Sequence, residues 1–176
     1  EPSVRLRQLI SAIKRVYASP FKPETQLYFS HTGKMAVEDR MAIVLQELVG
    51  ERHGAYYYPQ ISGVAGSYNF YPVGHMKAED GFAVIAFGLG FFVVEGRGGH
   101  RFSPVYPDID FGSVKDMIKG SQTKFYAVNL ERESLDFDRY GEKAGLDLLD
   151  IETAESHGTL NHCASVYDYT NDRITP

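Results

Sequence analysis

The sequence predicts an α+β domain on a mostly antiparallel sheet, and three observations carry that prediction. An amphipathic stripe at helical period opens the chain. Several short apolar runs follow, each bounded by glycine or proline. Short turns join these runs after the opening helix. The chain has 176 residues and 19.7 kDa, with 43% hydrophobic and 23% charged side chains. That composition is globular, and a chain of this length buries roughly 70% of its unfolded surface.

Residues 3–18 read as the opening helix, with Ser3 as its cap. Leu6, Leu9, Ile10, Ile13, Val16 and Tyr17 form one face. Pro20 and Pro23 end it, because proline lacks the N–H that a helix interior needs. Leu27 to Ser30 suit a short extended or helical piece. Residues 41–49 are rich in branched apolar side chains and stop at Gly50, which predicts a buried strand. Residues 56–58 and 61–71 are strand-like, with Gly54, Gly63 and Gly66 as bends or bulges. Residues 82–87 form a second buried strand before Gly88-Leu89-Gly90. Residues 91–94 suit a helical turn or a strand, and 100–103 are extended. Ser113 caps a short helix that stops at Gly120. Residues 124–130 and 164–169 complete the strands.

Charge divides the chain. Residues 1–130 hold 14 basic and 12 acidic side chains, net +2; residues 131–176 hold 4 and 11, net −7; the total is −5. We therefore expect a first subdomain over 1–130. Residues 131–150 read as a solvated acidic connector, leading to a peripheral strand element up to residue 176. The net negative charge and the lack of basic–aromatic interleaving argue against nucleic acid as a partner. Glycines break the apolar run around 82–94 short of the roughly 18 residues a membrane span needs, so no membrane association is expected. A single cysteine, Cys163, excludes an internal disulfide and suits a reducing, cytoplasmic setting. The start at Glu1, without Met or a signal peptide, and the stop at Pro176 suggest a piece of a longer chain.

Three stretches could carry chemistry. In the first, the strand over 82–87 runs into Gly88 and Gly90, with Glu95 and Arg97 two apart beyond it. Glycines let backbone N–H groups approach an anion, a carboxylate can hold Mg²⁺ shared with phosphates, and a guanidinium can stabilise a phosphoryl group. The same pattern also serves as a turn and hairpin tip, and it matches neither the dinucleotide nor the P-loop spacing. In the second, Gln46, Glu47, Leu48 and Val49 close an apolar strand and could meet a purine edge, or simply emerge into solvent. In the third, Ser67 lies in a small-residue run that could line a phosphate loop or form a kinked edge strand. His157, His162 and Cys163 lack the spacing of a helical metal pair. His31, His53, His75 and His100 read as surface or satisfied polar residues.

Four segments in order resemble the nucleotide-binding domain of phosphoenolpyruvate synthase and pyruvate phosphate dikinase. They are the stretch from Ala12 to Ser19, residues 41–49, Ser62-Gly63-Val64-Ala65, and Gly88-Leu89-Gly90 with Val93-Val94-Glu95-Gly96. The likeness covers roughly residues 8–105. It implies an ATP-grasp-like subdomain that clamps ATP, and an ATP-dependent phosphotransferase that phosphorylates a histidine on a separate swivelling domain. A pyruvate-binding domain of the same parent chain would then yield phosphoenolpyruvate. By this resemblance Gln46 to Val49 meet adenine, Glu95 stands near metal and phosphates, and Arg97 contacts phosphate. Mg²⁺ and ATP are the implied cofactors. The piece alone should be inactive, and an unfilled clamp would expose apolar surface and could pair two copies. Phe91 stands where the family commonly has Glu, and the strand before Gly88 is apolar where the family often has an acid. The alternative is a divergent nucleotide-binding or interaction module without turnover.

Overall fold

A computed structural model describes residues 2–32, 41–109, 113–161 and 163–175. In chain order the elements are α1 (Pro2–Ala18), α2 (Pro23–Thr32), β1 (Glu51–His53), β2 (Tyr56–Tyr58), β3 (Ser62–Gly66), β4 (Phe82–Ala86), α3 (Phe91–Val94), β5 (His100–Phe102), α4 (Val114–Lys119), β6 (Lys124–Asn129), α5 (Phe137–Tyr140), β7 (Leu146–Asp150), α6 (Ile151–Ser156), β8 (Val166–Asp168) and β9 (Arg173–Thr175). Among the described residues, helices are few and short after α2, and every strand pairing is antiparallel. The fold is α+β.

Two compact units divide the chain: residues up to Leu48 with Glu133–Asp136, and Val49–Arg132 with the chain from Phe137 on. In the first unit α1 forms where the stripe predicts it, but none of its residues is buried. Leu6 is 57% exposed. Gln8 Nε2 donates to the Glu133 carbonyl at 3.0 Å. Pro20 and Phe29 are buried, and Gln26 Nε2 donates to the Pro20 carbonyl at 2.7 Å, tying α2 to the turn before it. The expected buried strand over 41–49 does not form. Residues 41–50 have no regular secondary structure. Val44 and Val49 stand 79% and 78% exposed. Branched side chains favour a strand only when a neighbouring face covers them, and here that packing is missing, so propensity alone does not prevail.

The second unit holds the sheets. Four strands run in the order β1-β2-β6-β7, three in the order β3-β4-β5, and β8 pairs with β9. The centre is β6, whose apolar run is covered on both faces. Phe125 and Ala127 point to one face and join Tyr58, Phe87 and Ala154. Tyr126 and Val128 point to the other and join Ala86, Leu89 and Phe92. Burying side chains of this size contributes about 1.5–3 kcal/mol each. Phe125 packs edge-on against both Tyr58 and Phe87, at ring separations of 4.9 and 5.0 Å.

The expected connector over 131–150 contains α5 and ends in β7, which pairs with β6 from Lys124↔Asp150 to Val128↔Leu146. Its charges are absorbed locally: Asp147 takes a hydrogen bond from Asn129 Nδ2 at 2.8 Å and an ion pair from Arg132 at 2.6 Å. Net charge alone hid the apolar Leu146 and Leu149 that pack on the two cores. The strand-like run over 61–71 stops at Gly66, after which Asn69 is buried and accepts from Arg101 Nη2 at 2.8 Å.

Candidate functional site

The strand β4 ends against β6. Leu89 N–H donates to the Tyr126 carbonyl at 3.0 Å, and Ser62 Oγ donates to the Gly88 carbonyl at 2.6 Å. Gly88 has φ +81°, and a Cβ there would lie 2.9 Å from the Phe125 Cβ. The buried glycine is therefore spent on packing, with its carbonyl taken by Ser62. Gly90 leads into the single turn of α3, and a Cβ there would meet only Ser62, at 3.8 Å.

The turn of α3 closes with Glu95 N–H donating to the Phe91 carbonyl at 2.9 Å, and Gly96 follows at φ +66°. This tip delivers Glu95 and Arg97 side by side. Arg97 Nε donates to Glu95 Oε2 at 2.8 Å. Two residues from elsewhere join them. The Tyr126 hydroxyl donates to the same Oε2 at 2.9 Å, and Lys143 Nζ pairs with Oε1. The Arg97 and Lys143 charges lie 5.8 and 5.5 Å from the Tyr126 ring centroid, within cation–π range. The Lys143 ammonium first, then the Arg97 guanidinium and the Tyr126 hydroxyl, hold the Glu95 carboxyl down at about 2. Glu95 in turn raises the Lys143 and Arg97 values.

Both Glu95 oxygens are thus committed to positive or hydroxyl donors. Among the described residues no group of three His, Cys, Asp or Glu could hold a metal ion. Mg²⁺ needs free oxygen ligands in a near-octahedral set. The residues present do not fit a protein-held Mg²⁺ at Glu95; two cations around one carboxylate fit an anion instead. Phe91 is partly buried and packs against the second core, its ring 6.1 Å from that of Tyr126, so an aromatic contact occupies this position.

The other sequence candidates fall on other parts of the chain. Gln46, Glu47 and Leu48 belong to the first unit, in the irregular exposed stretch; Val49 opens the second. Ser67 sits at an exposed bend just after β3. Sequence reasoning missed Lys143 and Tyr126. Lys143 was hidden in the acidic stretch, where its being one of only four basic residues after 130 was the available signal. Tyr126 read as a strand residue and nothing more. His162 lies outside the described residues. His157 instead meets the Tyr58 hydroxyl through Nδ1 at 2.8 Å, and its ring stacks on His53 at 5.5 Å. Cys163 is partly buried against the first core, which pushes its thiol up.

A family model described as pyruvate phosphate dikinase, AMP/ATP-binding domain, matches residues 4–143. No curated protein and no solved structure matches the chain. Among the described residues no helix is long and apolar enough to cross a membrane.

Proposed function

The chain belongs to the pyruvate phosphate dikinase AMP/ATP-binding domain family, with an ATP-grasp-like α+β fold, and from that premise we propose that its α3 tip binds the phosphates of ATP in a phosphotransferase. In this reading the parent protein passes a phosphoryl group from ATP to a histidine on a swivelling domain, and then to pyruvate, giving phosphoenolpyruvate. The setting is a reducing, cytoplasmic one. The supporting observation is the meeting of Arg97, Lys143 and the Tyr126 hydroxyl at one exposed point. Such donors bind phosphate oxygens by charge-assisted hydrogen bonds, and fixed positive groups are the main resource of phosphoryl transfer. Adenine would be met by the segment from Gln46 to Val49, with Ser67 and Gly90 as further phosphate contacts. Any Mg²⁺ would arrive with the nucleotide, since in the free chain both Glu95 oxygens are held by the protein's own donors.

Calorimetric titration of the full chain with ATP tests the binding step. Saturable binding is expected, weakened about ten-fold by Arg97→Ala, the loss of one charge-assisted contact. Absence of ATP binding in the unsubstituted chain would reject the reading. A phosphohistidine assay on the parent protein tests turnover. A second reading, a nucleotide-binding module without turnover, is favoured by the engagement of Glu95 with its cations and by the packed Phe91. It predicts ATP binding with no phosphohistidine.

A further inference from the structure

Three donors reach the Glu95 carboxylate from three parts of the second unit: Arg97 from the turn after α3, Tyr126 from β6, and Lys143 from the 3-10 turn Gly141–Lys143. Two positive charges face one negative, so the cluster keeps a net +1. A carboxylate and the edge of a phosphoryl group present a similar pair of oxygens, and the same guanidinium and ammonium donors recognise both. We infer that Arg97, Lys143 and the Tyr126 hydroxyl form a phosphoryl seat that the chain keeps closed with its own Glu95 carboxylate, so that a polyphosphate binds by displacing Glu95. Glu95 is then an internal competitor for the nucleotide's phosphates. The inference takes its ligand class from the nucleotide reading above and its seat from the geometry.

The seat is built to outlast the departure of Glu95. Tyr126 is only 4% exposed, so its ring is fixed in the second core while its hydroxyl reaches the cluster. That ring also lies beside both cations and gives them a second anchor. The seat opens to solvent, with the Arg97 and Lys143 side chains 45% and 38% exposed. Glu95 ends its helical turn next to Gly96, where even an added Cβ would meet nothing within 4 Å, so the backbone beside Glu95 is uncrowded. A polyphosphate brings several charges against the single charge of Glu95, which sets the direction of the exchange.

Inorganic tripolyphosphate is the probe, titrated into the full chain at fixed ionic strength. Removing the competing charge with Glu95→Gln should tighten binding about ten-fold, the order expected for one unscreened like charge near the seat. Adding Lys143→Met to that variant should remove the gain. Equal or weaker binding by Glu95→Gln overturns the inference, as does a gain that survives the loss of Lys143. A second measurement needs no substitution: the Glu95 carboxyl ¹³C resonance should move on saturation of the unsubstituted chain with tripolyphosphate, as its cations leave it. A stationary resonance at saturation also overturns the inference. If tripolyphosphate follows the expected pattern while ATP binds to no form, the nucleotide reading fails and the seat stands. If ATP binds but Glu95→Gln gains nothing for tripolyphosphate, the seat fails and the nucleotide reading stands.

Discussion

Gln122 pairs with Phe87 as a neighbouring strand would. Its Oε1 accepts from the Phe87 N–H at 2.8 Å, and its Nε2 donates to the Phe87 carbonyl at 2.9 Å and to the Lys124 carbonyl at 2.9 Å. One side chain thus satisfies the backbone of a buried residue at the point where β4 gives way to the glycine turn. Gln122→Leu keeps the bulk and removes every one of these bonds. It should cost about 2–4 kcal/mol, because the Phe87 N–H and carbonyl lose their partner. Urea unfolding of the two forms measures this; a loss within error would show that water replaces the amide.

Gly88 and Gly54 separate backbone strain from steric clash. Both have positive φ, +81° and +60°, but a Cβ at Gly54 meets nothing within 4 Å while one at Gly88 presses on Phe125. Gly54→Ala should cost about 1 kcal/mol from the left-handed backbone alone. Gly88→Ala should cost about 3 kcal/mol or more, since overpacking adds to the strain. Equal losses in denaturant unfolding would refute the assigned clash.

Tyr58 is fully buried, and its hydroxyl meets His157 Nδ1 at 2.8 Å and Thr159 Oγ1 at 3.3 Å. Burial raises the Tyr58 pKa, so the hydroxyl stays protonated. Tyr58→Phe should destabilise the second unit by about 1–2 kcal/mol. A double-mutant cycle with His157→Ala should recover most of that as coupling energy. Strictly additive losses would place the cost in the contact with Thr159 instead.

The Glu95 cluster has a defined pH window. Its carboxyl falls from an ordinary 4.5 to about 2 in the folded chain. The unfolded chain therefore binds the proton more readily in this range. The stabilisation from Glu95 is complete above about pH 4.5 and disappears as pH falls through about 2. Thermal melts between pH 6 and 2 should show a steeper loss for the unsubstituted chain than for Glu95→Gln. Parallel curves would mean that the ion pairs do not hold in solution.

Much of this molecule was readable from the order of its residues. The apolar run of β6, the glycine turn after β4 and the cap at Ser113 all act locally. The Ser113 cap formed as expected, with Asp116 N–H donating to its hydroxyl at 3.2 Å. The adjacency of Glu95 and Arg97 was likewise written in a two-residue spacing. Residues 41–49 defeated the same reasoning, since a strand needs a partner and its own side chains do not specify one.

By itself, then, the sequence determined the α+β class and the tip that carries Glu95 and Arg97, because these depend on periodicity and short spacing; the family was legible in the resemblance of four segments in order. Only the tertiary structure decided that Lys143 and Tyr126 would join that tip and meet the Glu95 carboxylate. Charge interaction depends on distance in space, and the pairing of β6 with β7 brings that distance about across residues that no local pattern connects.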